Sequence, residues 1–243
     1  MTDLDFDRFD ALTFDCYGTL IDWEAGISTG LGSLLAAHDV MADREKLLEA
    51  FARQEAALEA GSYLRYRDVL AGAARGVAAG FGVTPTEAEL AAFGGSVGAW
   101  PAFEDSADAL RRLGERFRLG VITNCDDDLF AASNRRLGVT FDWIVTAQQV
   151  GSYKPSIRNF EVALARIDVS GERILHVAQS LFHDHVPARS IGLATAWIDR
   201  RSGQEGFGAT PPADAVPDIS APDMRSFADL ALGGAGRPAG TRR

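Results

Sequence analysis

The sequence predicts an α/β fold in which a doubly wound parallel sheet carries an inserted helical cap. Three observations support this prediction. A short apolar run, residues 10–14 (DALTF), lies near the start of the chain, a long stretch of helical periodicity follows it, and after Pro101 helical and strand-like patterns alternate. Parallel strands need crossover connections, and helices supply them while covering both faces of the sheet.

The alternating part of the chain predicts the core of this fold. Apolar runs typical of buried strands occupy residues 10–14, 118–123, 143–147, 173–178 and 194–199. Helical or short connecting segments precede the second to fifth runs, at residues 106–116, 127–137, 156–167 and 185–192. The order of these elements favours a sheet that is buried on both faces.

The stretch between the first and second strands is predicted to be helical. Segments rich in Ala and Leu, broken by Gly or Pro, occupy residues 24–38, 43–60, 63–80 and 86–93. We therefore expect a cap domain at residues 23–98, inserted into a core domain made of residues 1–22 and 99–232. The tail, residues 233–243, has almost nothing to bury and is expected to be disordered.

The composition excludes several classes of partner. The 243 residues include 24 Lys plus Arg against 34 Asp plus Glu, giving a formal net charge of -10. Nucleic acid is therefore not an expected partner. The N-terminus is acidic and no stretch reaches the roughly 18 apolar residues of a membrane span, so we expect a cytoplasmic protein without a membrane anchor. Cys16 and Cys125 are too few for a disulfide framework.

Polar side chains follow several of the predicted strands, where ligands bind in open parallel sheets. Candidate site residues follow the first strand (Asp15, Tyr17, Thr19), the second (Thr123, Asn124), the third after a loop (Lys154) and the fourth (Gln179, Ser180, Asp184). Taken alone, Asp15 and Gly18 could simply form a turn. Four clusters at matching strand ends favour an active site instead.

The segments FDCYGTL, VITNCDD, SYKPS and VAQSLFHD resemble the four ordered motifs of the haloacid dehalogenase superfamily. This resemblance implies a Rossmann-like core, a covalent aspartyl intermediate and a helical cap inserted after the first motif. The magnesium-dependent phosphatases of the superfamily carry carboxylates where this chain has Tyr17 and Gln179. Since magnesium prefers anionic oxygen ligands, we expect neither a metal ion nor another cofactor.

The segment DCYGT is similar to the metal-independent, type II 2-haloacid dehalogenases. That resemblance implies hydrolysis of a small anionic organic substrate, a 2-haloalkanoic acid, through an ester on Asp15. Thr19 and the amides of its turn would hold the second oxygen of Asp15, and Lys154 would keep Asp15 ionised. Asp184 would hold Lys154 or direct the hydrolytic water, and Ser180 would help to position that water.

The remaining candidates are expected to bind substrate. They are Tyr17, Thr123, Asn124, Gln179 and His183, with Arg53 as the cap arginine, for which Arg44, Arg65 and Arg67 compete. Phe160 stands where the dehalogenases have Tyr. His183 or His185 could also act as a base, whereas metal binding by the HDH segment is disfavoured because no other His or Cys clusters nearby.

Two other functions stay open at this stage. The same fold could hydrolyse a different bond, such as a phosphate ester with magnesium or a strained ring in an amino acid. Alternatively, the chain could be a non-catalytic protein that binds a small carboxylate, although a binder does not need a carboxylate nucleophile beside a lysine. The apolar cap helices could close over the core or form a homodimer interface.

Overall fold

The structure, a computed structural model, describes residues 4–204 and 208–233. Apart from Gly233, which ends the last helix, the tail predicted to be disordered lies outside the described residues. No helix in the described ranges is long and apolar enough to cross a membrane.

A sheet of six parallel strands forms the core, in the order β3-β2-β1-β4-β5-β6. The strands are β1 Ala11–Phe14, β2 Arg118–Thr123, β3 Trp143–Thr146, β4 Ile174–Ala178, β5 Ala194–Ile198 and β6 Ile219–Ala221. The first five confirm the predicted strands and the predicted parallel sheet. The edge strand β6 was not predicted, because three residues are too few to show a period.

The register brings the ends of three strands to one level. Phe14, the last residue of β1, pairs with Val121 of β2 and with Val177 of β4. Because all strands run in the same direction, the residues that follow β1, β2 and β4 meet at one edge of the sheet.

Four helices occupy the predicted cap region and are called the cap helices below. They are α1 Trp23–Ala36, α2 Arg44–Glu59, α3 Tyr66–Gly80 and α4 Glu87–Gly94. Side-chain oxygens of Asp22, Asp43 and Thr86 accept backbone N–H groups at the starts of α1, α2 and α4, as N-cap residues do. The helices are confirmed, while the division into two domains stays a prediction.

The helices that follow connect the strands of the sheet. They are α5 Ser106–Leu113, α6 Asp127–Leu137, α7 Ala147–Val150, α8 Ile157–Arg166, α9 Val186–Ser190 and α10 Met224–Gly233. Successive strand residues contribute to two apolar clusters, Leu12 to one and Ala11 to the other. Phe160 of α8 packs in the second cluster, so both faces of the sheet are covered, as a parallel sheet requires.

The start of α3 is fixed by a residue of the core. The buried Asp126 accepts the backbone N–H groups of Tyr66 at 3.0 Å and of Arg67 at 3.2 Å. The hydroxyl of Tyr153 donates to the carbonyl of Leu64 at 2.8 Å. These contacts position the cap helices over the edge of the sheet where the strand ends meet.

Substituting alanine at two glycines of α1 is expected to change the free energy of unfolding in opposite directions. A Cβ at Gly26 would lie 2.2 Å from the ring of Trp100, whereas a Cβ at Gly32 has no atom within 4 Å. We expect Gly26→Ala to lower the free energy of unfolding by about 1–3 kcal/mol through overpacking. Gly32→Ala should raise it by up to about 1 kcal/mol, because Ala favours a helix. Urea denaturation tests both, and equal effects would contradict this packing.

Candidate active site

The turn after β1 places Asp15 at the edge of the sheet. The N–H of Asp15 donates to the carbonyl of Val177 at 3.1 Å, and the residue is 6% exposed. The N–H groups of Leu20 and Ile21 close the turn on the carbonyl of Cys16. Gly18 has φ +92°, and a Cβ there would lie 3.1 Å from Nε1 of Trp23, so the turn requires glycine.

Lys154 lies at the centre of the site, buried to 1% exposure. Its Nζ donates to Oδ1 of Asp15 at 2.8 Å, to Oδ1 of Asp184 at 2.6 Å and to the carbonyl of Ile122 at 2.9 Å. An ammonium group has three N–H donors, and these three acceptors use all of them.

The charges in this cluster are strongly coupled. Burial raises the pKa of Asp15, and the ammonium of Lys154 opposes that rise. Burial would also raise the pKa of Asp184, but Lys154 and His176 hold it below its ordinary value. Burial would lower the pKa of Lys154, yet the two carboxylates raise it to about 12. The proton therefore stays on Lys154 at neutral pH.

Thr19 holds the second oxygen of Asp15, as predicted. Its hydroxyl donates to Oδ2 of Asp15 at 2.8 Å and accepts the N–H of Gln179 at 2.9 Å. The turn amides were expected to help, but the N–H of Gly18 donates to the carbonyl of Ile21 instead. One carboxylate oxygen of Asp15 thus contacts Thr19 and the other contacts Lys154.

His176 is a site residue that the sequence did not reveal. It lies inside β4, where Nε2 contacts Oδ1 of Asp184 at 2.9 Å and Nδ1 contacts the hydroxyl of Thr13 at 2.9 Å. The ring of Phe160 packs edge-on against it, 5.1 Å between centroids. A lone histidine in the apolar run RILHVA was the available signal. His176 and Lys154 together orient Asp184.

Asp15 opens onto a cavity of about 30 Å³. Its lining comprises Asp15, Tyr17, Trp23, Glu55, Glu59, Tyr66, Asn124, Lys154, Ser180, His183, Asp184 and Thr210. Seven of the predicted site residues are in this set, from four different strand ends. Glu55, Glu59 and Thr210 were not predicted, and they come from a cap helix and from the segment before β6.

The prediction that Arg53 of the cap contacts the substrate is wrong. Arg53 is exposed and does not line the cavity. Of its competitors, Arg44 pairs with Glu24 and Glu45, and Arg67 pairs with Asp126 and Asp128. Arg65 is exposed. Arg53 lies two residues from Glu55, so about 200° of helical rotation separates it from the face of α2 that lines the cavity.

Two predicted substrate contacts, Thr123 and Gln179, lie outside the cavity, and a third, Asn124, has hydrogen-bond partners within the protein. Thr123 is buried outside the cavity, and its hydroxyl has no hydrogen-bond partner among the described residues. The side chain of Asn124 lines the cavity, but it accepts the N–H of Lys154 at 2.7 Å and donates to its carbonyl at 3.0 Å. Gln179 lies outside the cavity, where its side chain contacts Thr210. Asn124 therefore fixes the lysine backbone.

Tyr17 lines the cavity, and its hydroxyl group has two hydrogen-bond partners. The hydroxyl lies 3.0 Å from Oγ of Ser133, and it accepts the thiol of Cys125 at 3.3 Å. Both partners are fully buried and are not among the cavity-lining residues. Tyr17 therefore supplies an apolar wall and no proton donor for a substrate.

The HDH segment does not converge on one point. His183 lines the cavity and contacts Oγ of Ser180 at 3.1 Å, while the ring of the buried His185 contacts the carbonyl of Ala178 at 3.0 Å. Asp184 contacts Lys154 and His176 instead. Burial lowers the pKa of His183 to about 4, so its ring is neutral at pH 7.

The donor set does not fit magnesium. Tyr17 and Gln179 occupy the positions of the two extra carboxylates, and both remaining aspartates already accept from Lys154. In the described part of the chain, no group of three or more His, Cys, Asp or Glu could hold a metal ion. A hard divalent cation needs several oxygen ligands around one point, and the ammonium of Lys154 already lies between the two aspartates that follow the strands.

Comparison with known proteins places this site in a family. A sequence profile of the haloacid dehalogenase-like hydrolases matches residues 9–180. The (S)-2-haloacid dehalogenase of Pseudomonas putida is 30% identical over 105 residues, covering 42% of this chain and 45% of that protein. Glyceraldehyde 3-phosphate phosphatase of Methanothermobacter thermautotrophicus is 35% identical over 85 residues, covering 34% of this chain and 38% of that protein. Both alignments span less than half of the relative.

Solved structures show the same fold. The L-2-haloacid dehalogenase from Xanthobacter autotrophicus superposes with a TM-score of 0.77 at 18% identity, covering 95% of this chain and 100% of that one. A hydrolase of the superfamily from Bacillus subtilis, solved with magnesium, gives 0.75 at 19% identity, covering 92% of this chain and 99% of that one. The predicted Rossmann-like fold and the resemblance to 2-haloacid dehalogenases are confirmed.

Replacing Lys154 should expose the dependence of the site on one buried charge. We expect Lys154→Met to lower the free energy of unfolding at pH 7 by about 3 kcal/mol or more, because Asp15 and Asp184 lose their shared partner. In wild type, the lowered pKa of Asp184 contributes stability above its unfolded pKa that is lost as pH falls.

In the variant, the folded-state pKa values of both aspartates should rise, so the difference from wild type should shrink towards pH 4. Urea denaturation at both pH values measures this difference. The exposed lysine of α2 supplies the control Lys46→Met, which should change stability little at either pH. A pH-independent loss in Lys154→Met would contradict the coupling.

Proposed function

Because the chain belongs to the haloacid dehalogenase-like hydrolase family, we propose that it hydrolyses the carbon–halogen bond of a small 2-haloalkanoic acid, or of a derivative of such an acid, without a metal ion. The observation that supports this proposal best is the environment of the Asp15 carboxylate. Its carboxylate is held by Lys154 and Thr19 beside a cavity, and the ring of Tyr17 occupies the place of a leaving-group acid.

The proposed first step is a nucleophilic displacement. A carboxylate oxygen of Asp15 forms a bond to the halogen-bearing carbon, and the carbon–halogen bond breaks with its electron pair leaving on the halide. Halide needs no proton to depart, so the lack of a proton donor at Tyr17 fits this step. The product of the step is an ester between Asp15 and the substrate carbon.

The proposed second step is hydrolysis of that ester. Water adds to the carboxyl carbon of Asp15, the substrate leaves as an alcohol, and one proton is released to solvent. Asp184 lines the cavity, and its Oδ2 is buried with no hydrogen-bond partner among the described residues. This oxygen is the proposed acceptor for the hydrolytic water, while Oδ1 stays bound to Lys154 and His176.

Because several relatives are named 2-haloacid dehalogenases, 2-haloalkanoic acids and their derivatives are the first candidate substrates. The phosphatase among the relatives keeps phosphate-ester hydrolysis as the alternative. Phosphoryl transfer relies on a metal ion to neutralise developing charge, and the donor set at Asp15 disfavours that reaction.

Asp15→Asn should abolish turnover. Halide release from 2-chloro-, 2-bromo- and 2-fluoropropionate and from their amides, with EDTA present, should fall by about a thousandfold or more, because the amide is a poor nucleophile. The control Asp39→Asn changes an exposed aspartate at φ 59°, where Asn is tolerated, and should keep wild-type rates. Release of phosphate from an aryl phosphate only with magnesium, and no halide release, would overturn the proposal.

Asp184→Asn should separate the two steps. Loss of the water-directing carboxylate should slow ester hydrolysis more than ester formation, so the ester should accumulate. Intact-protein mass spectrometry should then detect a covalent adduct with the mass of the chain plus that of the substrate without its halide. Peptide mapping should place the adduct on Asp15. The doubly substituted Asp15→Asn, Asp184→Asn chain is the control, and an equal adduct on it would exclude Asp15 as the nucleophile.

A further inference from the structure

Two glutamates of α2 line the same cavity as the nucleophile. Glu55 and Glu59 are one helical turn apart, so they lie on one face of the helix. Glu55 is 5% exposed, and its Oε1 accepts the hydroxyl of Tyr66 at 2.9 Å. Neither glutamate forms an ion pair within the described ranges. These carboxylates occupy the helix on which the sequence predicted a substrate-binding arginine.

The cavity offers no free positive charge to an anionic group. The three N–H donors of Lys154 are bound to Asp15, Asp184 and the carbonyl of Ile122. The ring of His183 is neutral at pH 7. No arginine is among the lining residues of the described chain. A substrate carboxylate placed here would be desolvated beside other carboxylates without a counter-charge, which is unfavourable.

The cavity instead has a surplus of hydrogen-bond acceptors. Asp184 lines the cavity and is only 1% exposed, and its Oδ2 has no hydrogen-bond partner among the described residues. Burial raises the pKa of Glu55 to about 8 and also raises that of Glu59. The raised pKa values show that no cation stabilises the ionised form of these two carboxyl groups, and a bound ammonium or amide ligand would favour that ionised form.

We propose that Glu55 and Glu59 bind an N–H donor group of the substrate, an ammonium or a primary amide, at the place where a 2-haloalkanoic acid carries its carboxylate. The inference rests on the proposed function only in placing the substrate beside Asp15. An ammonium forms charge-assisted hydrogen bonds with carboxylates, and an amide NH₂ group has two donors for the pair. The halogen-bearing carbon of such a substrate lies next to the nucleophile.

Binding of unreactive three-carbon ligands tests this inference without any turnover. The probes are n-propylamine, propionamide and propionate, titrated into the full wild-type chain at pH 8 and followed by isothermal calorimetry or ligand-observed NMR. We expect propylamine or propionamide to bind at least about tenfold more tightly than propionate, the ratio that one charge-assisted hydrogen bond supplies. Which of the two binds more tightly distinguishes an ammonium from an amide substrate.

Substitutions on one helix locate the binding group. Glu55→Gln and Glu59→Gln keep the side-chain shape, and the amide oxygen at position 55 can still accept from Tyr66. Each should weaken propylamine binding by about tenfold and strengthen propionate binding, because an amide NH₂ group replaces a carboxylate oxygen. The exposed Glu49 of the same helix provides the matched control Glu49→Gln, which should match wild type. Thermal unfolding checks that each variant is folded.

The outcomes separate this inference from the proposed function. Tighter binding of propionate than of both N–H ligands, no binding of either N–H ligand, or glutamine variants that behave like Glu49→Gln would overturn the inference. Halide release from 2-chloropropionamide in preference to 2-chloropropionate would support both claims. No halide release from any of them, with propylamine binding lost in Glu55→Gln, would support the binding group and reject the proposed reaction.

Discussion

The buried ammonium of Lys154 is the constraint on which the site depends. It is shared between Asp15 at the end of β1 and Asp184 after β4, and it also contacts the carbonyl of Ile122 in β2. Each partner is delivered by a different strand, so the charge cluster exists only when the parallel sheet is in register. Two carboxylates could not both remain ionised at this depth without a cation between them.

Further polar contacts keep that cluster rigid. Asn124 binds both the N–H and the carbonyl of Lys154, Thr19 binds the free oxygen of Asp15, and His176 binds Asp184 from within β4. Buried polar groups are costly when they lack partners, and the side-chain polar atoms of this cluster have hydrogen-bond partners with one exception. The exception, Oδ2 of Asp184, lies where the proposed hydrolysis needs a water molecule.

The cap helices decide what can bind beside this fixed cluster. Asp126 and Tyr153 attach the start of α3 to the core, and the neighbouring helix α2 presents Glu55 and Glu59 to the cavity. The core therefore supplies the proposed nucleophile and its charge balance, while the cap helices supply the groups proposed to contact the rest of the substrate. The two contributions are physically separate, so the reaction and the substrate preference can be tested with different residues.

The sequence by itself determined five of the six strands, the parallel sheet and the identity of Asp15, Thr19, Lys154 and Asp184 as a group, because short apolar runs and the polar residues that end them are local features. Tertiary structure alone decided which face of α2 meets the cavity, and so replaced Arg53 by Glu55 and Glu59. It also placed Thr123 outside the cavity, gave Asn124 a backbone partner and brought His176 to Asp184. These outcomes depend on the rotation and packing of whole elements, which one-dimensional periodicity does not encode.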